Sequence, residues 1–179
     1  AFPNSSGNYS GINLASGTQI DSGTGAINMY GKSTDQYGFN IANGTAEGVT
    51  IKSSKTTGNA ITLEGFSTVS YGLVFNYNVN KQILATGGGA ILLKGTASTN
   101  NHGIFFSDID ILATSGKITL DGGVKGFITG GSDPYAIIGS KTGDSNIASS
   151  TSDIEIIGDV LGFDATTKFN TTGSLELKP

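Results

Sequence analysis

The chain has no cysteine, no tryptophan, one histidine, one methionine and three prolines among 179 residues. Without cysteine it can form no disulfide scaffold, no thiolate zinc site and no cysteine nucleophile. A single histidine, His102, removes a histidine-based zinc site, and a Ser-His-Asp triad unless it acts alone. Charge is equally sparse: 13% of residues are ionisable and the net charge is −4. No basic stripe exists to hold a phosphate backbone, so nucleic acid is excluded as a partner. No run of about 18 apolar residues is present, so membrane insertion through a helix is not expected. Ala1-Phe2-Pro3 opens the chain without a basic start or an apolar stretch, so an export signal is expected to lie outside these residues or to have been removed. No window sustains a period of 3.6, and Gly and β-branched residues interrupt every candidate helix.

What is abundant is glycine, 28 residues, together with Ser, Thr and Asn. Such a profile suits disorder, but 36% of the residues are apolar and they fall in alternating groups. The clearest group is written nearly twice. Ile-Leu-Ala-Thr-Gly-Gly-Gly-Ala-Ile-Leu-Leu-Lys-Gly begins at Ile83, and Ile-Leu-Ala-Thr-Ser-Gly-Lys-Ile-Thr-Leu-Asp-Gly begins 28 residues later at Ile111. A repeat at that distance marks a solenoid, propeller or array.

Its core, Ile-x-(Leu/Met/Ile)-x-Gly, occurs at Ile27–Gly31, Ile61–Gly65, Ile91–Gly95, Ile118–Gly122 and Ile154–Gly158, and Leu175-Glu-Leu-Lys178 is a sixth, degenerate copy. The motif is constant while its spacing stretches, as strands of fixed length joined by variable loops require. Alternation puts Ile27, Met29, Ile61, Leu63, Ile118 and Leu120 on a buried face. The motif glycine is expected to turn a corner at positive φ. A second motif follows the first three copies at Tyr37–Ile41, Tyr71–Phe75 and His102–Phe106, with a looser fourth at Tyr135–Ile138. A third strand precedes the next copy at Val49–Ile51, Ile83-Leu84, Ile109–Ile111 and Asn146–Ala148. Propeller blades need four strands in about 40 residues. Three short strands per repeat instead predict an all-β fold, a parallel β-helix (β-solenoid) of about five coils, spanning residues 1–179 as one domain.

In-register stacking makes testable columns. The residues before the motif glycines run Tyr30, Glu64, Lys94, Asp121, Ile157, and the central three alternate in sign, which favours that register. The inward column Ile27, Ile61, Ile91, Ile118, Ile154 supplies the main driving force. Phe163 and Phe169 are expected to cover one end of the stack, as solenoids require.

These residues bear on several chemistries. Asp108, Asp110, Asp121, Asp133, Asp144 and Asp153 concentrate in the second half. A glycosidase needs two carboxylates about 5–9.5 Å apart, and Asp108 and Asp110, alternating with Ile109 and Ile111, are expected to face outward together. They lack the Arg, Lys and aromatic platforms that accompany sugar cleavage, so solvated charge is the leading reading. Gly130-Gly-Ser-Asp133 is an isolated echo of a calcium-binding nonapeptide. Gly31-Lys32-Ser33 lacks the upstream glycine and following helix of a phosphate loop. No metal or cofactor is expected. His102 shares the column of Tyr37, Tyr71 and Tyr135, which predicts an aromatic-like ring beside a corner. Asn4, Asn8, Asn43 and Asn170 form glycosylation sequons, mostly by chance in so Asn-rich a chain. Outward Asn28, Thr62, Leu92, Thr119 and Glu155 are too mixed for an ice-binding face.

The succession Ile-x-Leu-x-Gly-x-(Ser/Thr/Ala), Gly-aliphatic-x-aliphatic and Ile-x-Ala-Thr-x-Gly over residues 20–158 resembles the repeats of filamentous haemagglutinin-like exoproteins of bacterial two-partner secretion systems. It is similar to the stalks of related large adhesins and contact-dependent inhibition toxins. The expanded fourth repeat and the Tyr-Gly motif depart from that pattern. The resemblance implies a right-handed parallel β-helix, a fragment of a longer exoprotein that passes an outer-membrane transporter and is secreted or displayed at the bacterial surface. It implies adhesion to a host-cell or bacterial receptor or glycan, or a shaft role, and no catalytic residues. The insertion from Gly122 to Pro134 makes Asp133 and the neighbouring Tyr135 the expected surface contacts. The alternative is a β-helical enzyme acting on surface polysaccharide through Asp108, Asp110 and Asp121.

Overall fold

The computed structural model describes residues 9–41, 47–76, 80–98, 101–123, 145–163 and 167–179, and the backbone of 137–138. Strands follow one another in threes. The first rung is β1 (Ile12–Leu14), β2 (Gln19–Asp21) and β3 (Ile27–Ser33). The second is β4 (Phe39–Ile41), β5 (Val49–Ser53) and β6 (Asn59–Ser67), and the third is β7 (Leu73–Phe75), β8 (Lys81–Ala85) and β9 (Ala90–Ala97). The fourth is β10 (Ile104–Phe105), β11 (Ile109–Ala113) and β12 (Ile118–Asp121), and the fifth is β13 (Ile137–Ile138), β14 (Ser145–Ser149) and β15 (Ile154–Ile157). The last is β16 (Leu161–Gly162), β17 (Thr167–Thr171) and β18 (Leu175–Lys178).

Corresponding strands pair in parallel into three six-stranded sheets, β1-β4-β7-β10-β13-β16, β2-β5-β8-β11-β14-β17 and β3-β6-β9-β12-β15-β18. The protein is a parallel β-solenoid. It has six rungs rather than about five, because Ile12–Leu14 and Gln19–Asp21 complete a rung with β3 and the degenerate stretch after Gly158 forms another. At about 4.8 Å per step the stack rises about 24 Å.

Register follows the expected columns. Ile27 pairs with Ile61, Ile61 with Ile91, Ile91 with Ile118 and Ile118 with Ile154. The second sheet stacks Ile20, Ile51, Ile83, Ile111, Ile147 and Phe169. These side chains, with Phe39, Phe75 and Phe106, fill one continuous core. Each fully buried isoleucine contributes about 1.5–3 kcal/mol.

The motif glycines are not corners in the first three copies. Gly31, Gly65 and Gly95 lie inside β3, β6 and β9. A Cβ on them would stand 2.2, 2.1 and 1.9 Å from the carbonyl oxygens of Gly38, Gly72 and Gly103. Those partners are the glycines after Tyr37, Tyr71 and His102, and they are closed in turn: a Cβ on Gly72 would lie 2.3 Å from the Thr96 nitrogen. Both glycine motifs therefore mark a line where two stretches of main chain nearly touch, a place for absent side chains rather than for positive φ. The corner itself is held by an inward serine. Ser33 Oγ accepts the N–H of Asp35 (3.1 Å) and Gln36 (2.9 Å) and donates to the Tyr9 carbonyl of the neighbouring rung (2.7 Å). Ser67 does the same with Val69, Ser70 and the Gln36 carbonyl.

Candidate functional surface

Because the interior is filled by stacked side chains, what the described rungs offer to another molecule is their outward columns. On the third sheet Tyr30, Glu64, Lys94, Asp121, Ile157 and Lys178 are in register, as the alternating charges suggest. Lys94 Nζ lies 3.2 Å from the Asp121 carboxylate. One column over, Glu155 is nearly buried and is gripped by Lys117 (2.7 Å) and by Lys178. Hydrogen bonds from Lys117 and Lys178 hold its carboxyl below the usual range. Lys178, also paired to Glu176 at 2.9 Å, is raised by the same contacts. These charges clasp rung to rung.

The aspartates proposed for chemistry lie on different elements. Asp110 is outward on β11, between Gln82 and Asn146 on the second sheet. Asp121 is on the third sheet, bound to Lys94 and to the Gly123 N–H at 2.9 Å. Asp108 precedes β11 rather than alternating along it. Its φ is +51°, its carbonyl accepts the Lys81 N–H at 3.0 Å, and its carboxylate accepts from Ser107 Oγ at 3.3 Å. A left-handed φ takes Asp108 out of the extended alternation that was expected to set it on one strand face with Asp110. Asp133, Tyr135 and Asp144, and all of the insertion beyond Gly123, lie outside the described residues.

His102 does sit in an aromatic column. Its ring stacks on Tyr71 with centroids 5.1 Å apart, Tyr71 stacks on Tyr37 at 5.6 Å, and Phe105 packs against both Tyr71 and His102. Phe163 and Phe169 meet edge to face at 5.0 Å near the last rung, yet Leu175 and Leu177 of that rung remain 48% and 58% exposed.

Two features escaped the sequence reading. The first is Lys81, whose side chain is only 1% exposed. It occupies the inward column between Val49 and Ile109, and its ammonium donates to the Asn76 carbonyl. Burial pushes its pKa from 10.5 down to about 8, opposed by the nearby Asp108 charge. Aligning Lys81 with Val49 and Ile109 was the available signal.

The second is an open groove of about 430 Å³ lined by Gln19, Glu47, Gly48, Thr50, Asn80 and Gln82. Gln19, Thr50 and Gln82 are successive outward members of one column on the second sheet. Glu47 is fixed through its main chain: Ser16 Oγ and the Gly17 N–H donate to its carbonyl (2.6 and 3.2 Å), and its N–H donates to Ser16 Oγ (3.0 Å). Its carboxylate lies over Gly17, 2.8 Å from where a Cβ would project. At the floor, a Cβ on Gly48 would meet the Asn80 carbonyl at 2.6 Å. Among the described residues no three of His, Cys, Asp and Glu gather as metal ligands.

Fold and surface together define a parallel β-solenoid with polar outward ladders. Compared with known proteins, the chain matches no family model, no curated protein and no solved structure.

Proposed function

We propose that this chain is a structural and adhesive segment of a secreted or surface-displayed bacterial exoprotein of the filamentous haemagglutinin type. In this reading it reaches the surface through an outer-membrane transporter and performs no catalysis. Its lateral faces meet a receptor or glycan on a host or neighbouring cell, and the insertion bearing Asp133 and Tyr135 contributes a contact, on the sequence argument alone. The observation that carries the reading is the constancy of the columns. Six rungs keep one inward column of Ile20, Ile51, Ile83, Ile111, Ile147 and Phe169, while the outward ladder beside it varies from Gln and Thr to Asp, Asn and Lys. A scaffold that holds register and varies its outer face suits recognition over an extended surface.

Beads coated with the whole chain should adhere to host or bacterial cells above uncoated beads. The same protein should leave a panel of acidic polysaccharides undegraded. Depolymerisation would overturn the reading in favour of the polysaccharide enzyme, and failure to adhere would reduce the chain to a spacer.

A further inference from the structure

We propose that the groove formed by Gln19, Glu47, Gly48, Thr50, Asn80 and Gln82 is a binding site for an uncharged glycan. This deepens the adhesive reading and rests on it, by naming the site and the class of ligand.

The lining chemistry selects the class. Asn80 and Gln82 each present a planar amide with donor and acceptor side by side, Gln19 presents its amide oxygen while its Nε2 donates to the Gly48 carbonyl at 3.5 Å, and Thr50 adds a hydroxyl that can do either. Glu47 adds a carboxylate that only accepts. Donors and acceptors interleaved at short range match neighbouring hydroxyls of a sugar. Among the described residues no Lys or Arg lines the groove, so a sulfated, uronic or sialylated glycan would meet the Glu47 charge without a cation there to offset it. A divalent cation would find a single carboxylate among neutral amides, too few hard charged ligands for firm binding.

Geometry points the same way. Gln19, Thr50 and Gln82 repeat at the rung spacing of about 4.8 Å, close to the advance of one sugar ring along an extended polysaccharide. Such a chain running along the solenoid axis would meet one polar side chain per residue. The groove volume of about 430 Å³ falls within the roughly 300–1,000 Å³ of small-molecule sites. The main chain around the site is tied in advance: Glu47 makes three hydrogen bonds through its N–H and carbonyl, and the Val49 N–H donates to the Asn80 carbonyl at 3.2 Å. Main-chain ordering would then cost little on binding, while the exposed Gln19, Glu47 and Asn80 side chains would still have to order. Further along the column Asp110 adds a second negative charge, which strengthens discrimination against acidic chains.

The whole chain would be applied to an array of neutral glycans, including glucans, galactans and mannans, beside sulfated, uronic and sialylated ones. A neutral oligosaccharide that binds would then be titrated into the parent, Gln82→Ala, Glu47→Ala and the third-sheet control Thr62→Ala. We expect binding to neutral members, tenfold or greater weakening by Gln82→Ala and by Glu47→Ala, no change with Thr62→Ala, and unaltered thermal melts throughout. Binding to acidic glycans only, to none, or equally by all variants would overturn the groove. Bead adherence measured with the same variants separates the two readings. Adherence that persists without neutral-glycan binding sinks the groove and spares the adhesive role. Neutral-glycan binding without adherence upholds the groove and sinks the adhesive role.

Discussion

Replacing Lys81 by methionine should change how stability depends on pH. Lys81 is buried at an inward position, and its pKa falls from 10.5 to about 8 chiefly because burial disfavours the charged amine. Below about pH 8 the amine is charged in both the folded and unfolded chain, and the folded state carries the full cost of the buried charge. Between pH 8 and 10.5 the folded chain releases the proton while the unfolded chain still holds it. The unfolded state then binds more protons, so stability rises with pH across that window. At about 1.4 kcal/mol for each tenfold change in proton affinity, the rise amounts to about 3 kcal/mol. Methionine keeps the length and apolar stem but cannot titrate. It leaves the Asn76 carbonyl without its donor, which costs about 1–3 kcal/mol at every pH and adds no slope. Guanidinium unfolding at steps from pH 7 to 10.5 gives the test. The stability of the parent minus that of Lys81→Met should climb by about 3 kcal/mol over the window. Parallel curves would refute the argument that Lys81 is desolvated in the folded chain.

Ile91→Asp should unfold or open the solenoid, because Ile91 is fully buried between Ile61 and Ile118 and an unpaired carboxylate there costs several kcal/mol; a thermal melt like the parent's would refute the inward assignment. Gly72→Ala should cost far more than Gly23→Ala. A Cβ at Gly72 meets main chain at 2.3 Å, whereas Gly23 faces open space and loses only its φ of +56°, about 1–2 kcal/mol; equal losses would dismiss the close-approach account. Glu155→Gln should flatten the acid side of the stability curve. A carboxyl held below its ordinary 4.5 stabilises the fold above that pH and loses the contribution as pH falls through the depressed value. Urea unfolding followed by circular dichroism at steps of pH, parent against variant, should show a stability gap above about pH 5 that closes as pH falls, and a gap that is absent or constant would remove Glu155 from the clasp.

The repeat made the three-strand rung, the register and the inward columns legible, because an alternation of period 2 in a stacked fold leaves each side chain one of two directions. Leu175-Glu-Leu-Lys178 pairs with β15 in that register despite lacking the motif glycine. The role of the glycines was misread for a physical reason. A single strand reveals that glycine stands at its fifth position, but not that the main chain of Gly38 or Gly72 presses against it from another rung. Gly31 and Gly38 look like separate local signals and are two halves of one contact. Serines at the corners were passed over because Ser33 and Ser67 look like ordinary polar ends of strands until their bonds to Tyr9 and Gln36 of the neighbouring rung are seen. Asp108 shows the opposite failure. Alternation with Ile109 assigned it to the strand, while its left-handed backbone belongs to the corner.

The position of the groove follows from which corners can vary. The link from the second to the third sheet is nearly invariant, from Ser53 to Asn59, Ala85 to Ala90, Ala113 to Ile118 and Ser149 to Ile154. The link from the third sheet to the first is pinned by the paired glycines in the early rungs. In those early rungs the link from the first sheet to the second varies more. It runs from Ile41 to Val49 and from Phe75 to Lys81, but only from Phe105 to Ile109. Glu47, Gly48 and Asn80 end the links from Ile41 to Val49 and from Phe75 to Lys81, and the groove lies beside them, over the outward column of the second sheet. Where the link shortens, Asp108 takes the corresponding place with a strained backbone and turns to Ser107 and Lys81. Length added at this corner leaves the core in place, because the inward columns on either side keep their register. The groove proposed for binding can therefore differ from rung to rung without disturbing the stack that carries it, since it lies beside the longer links rather than on the best-preserved strands.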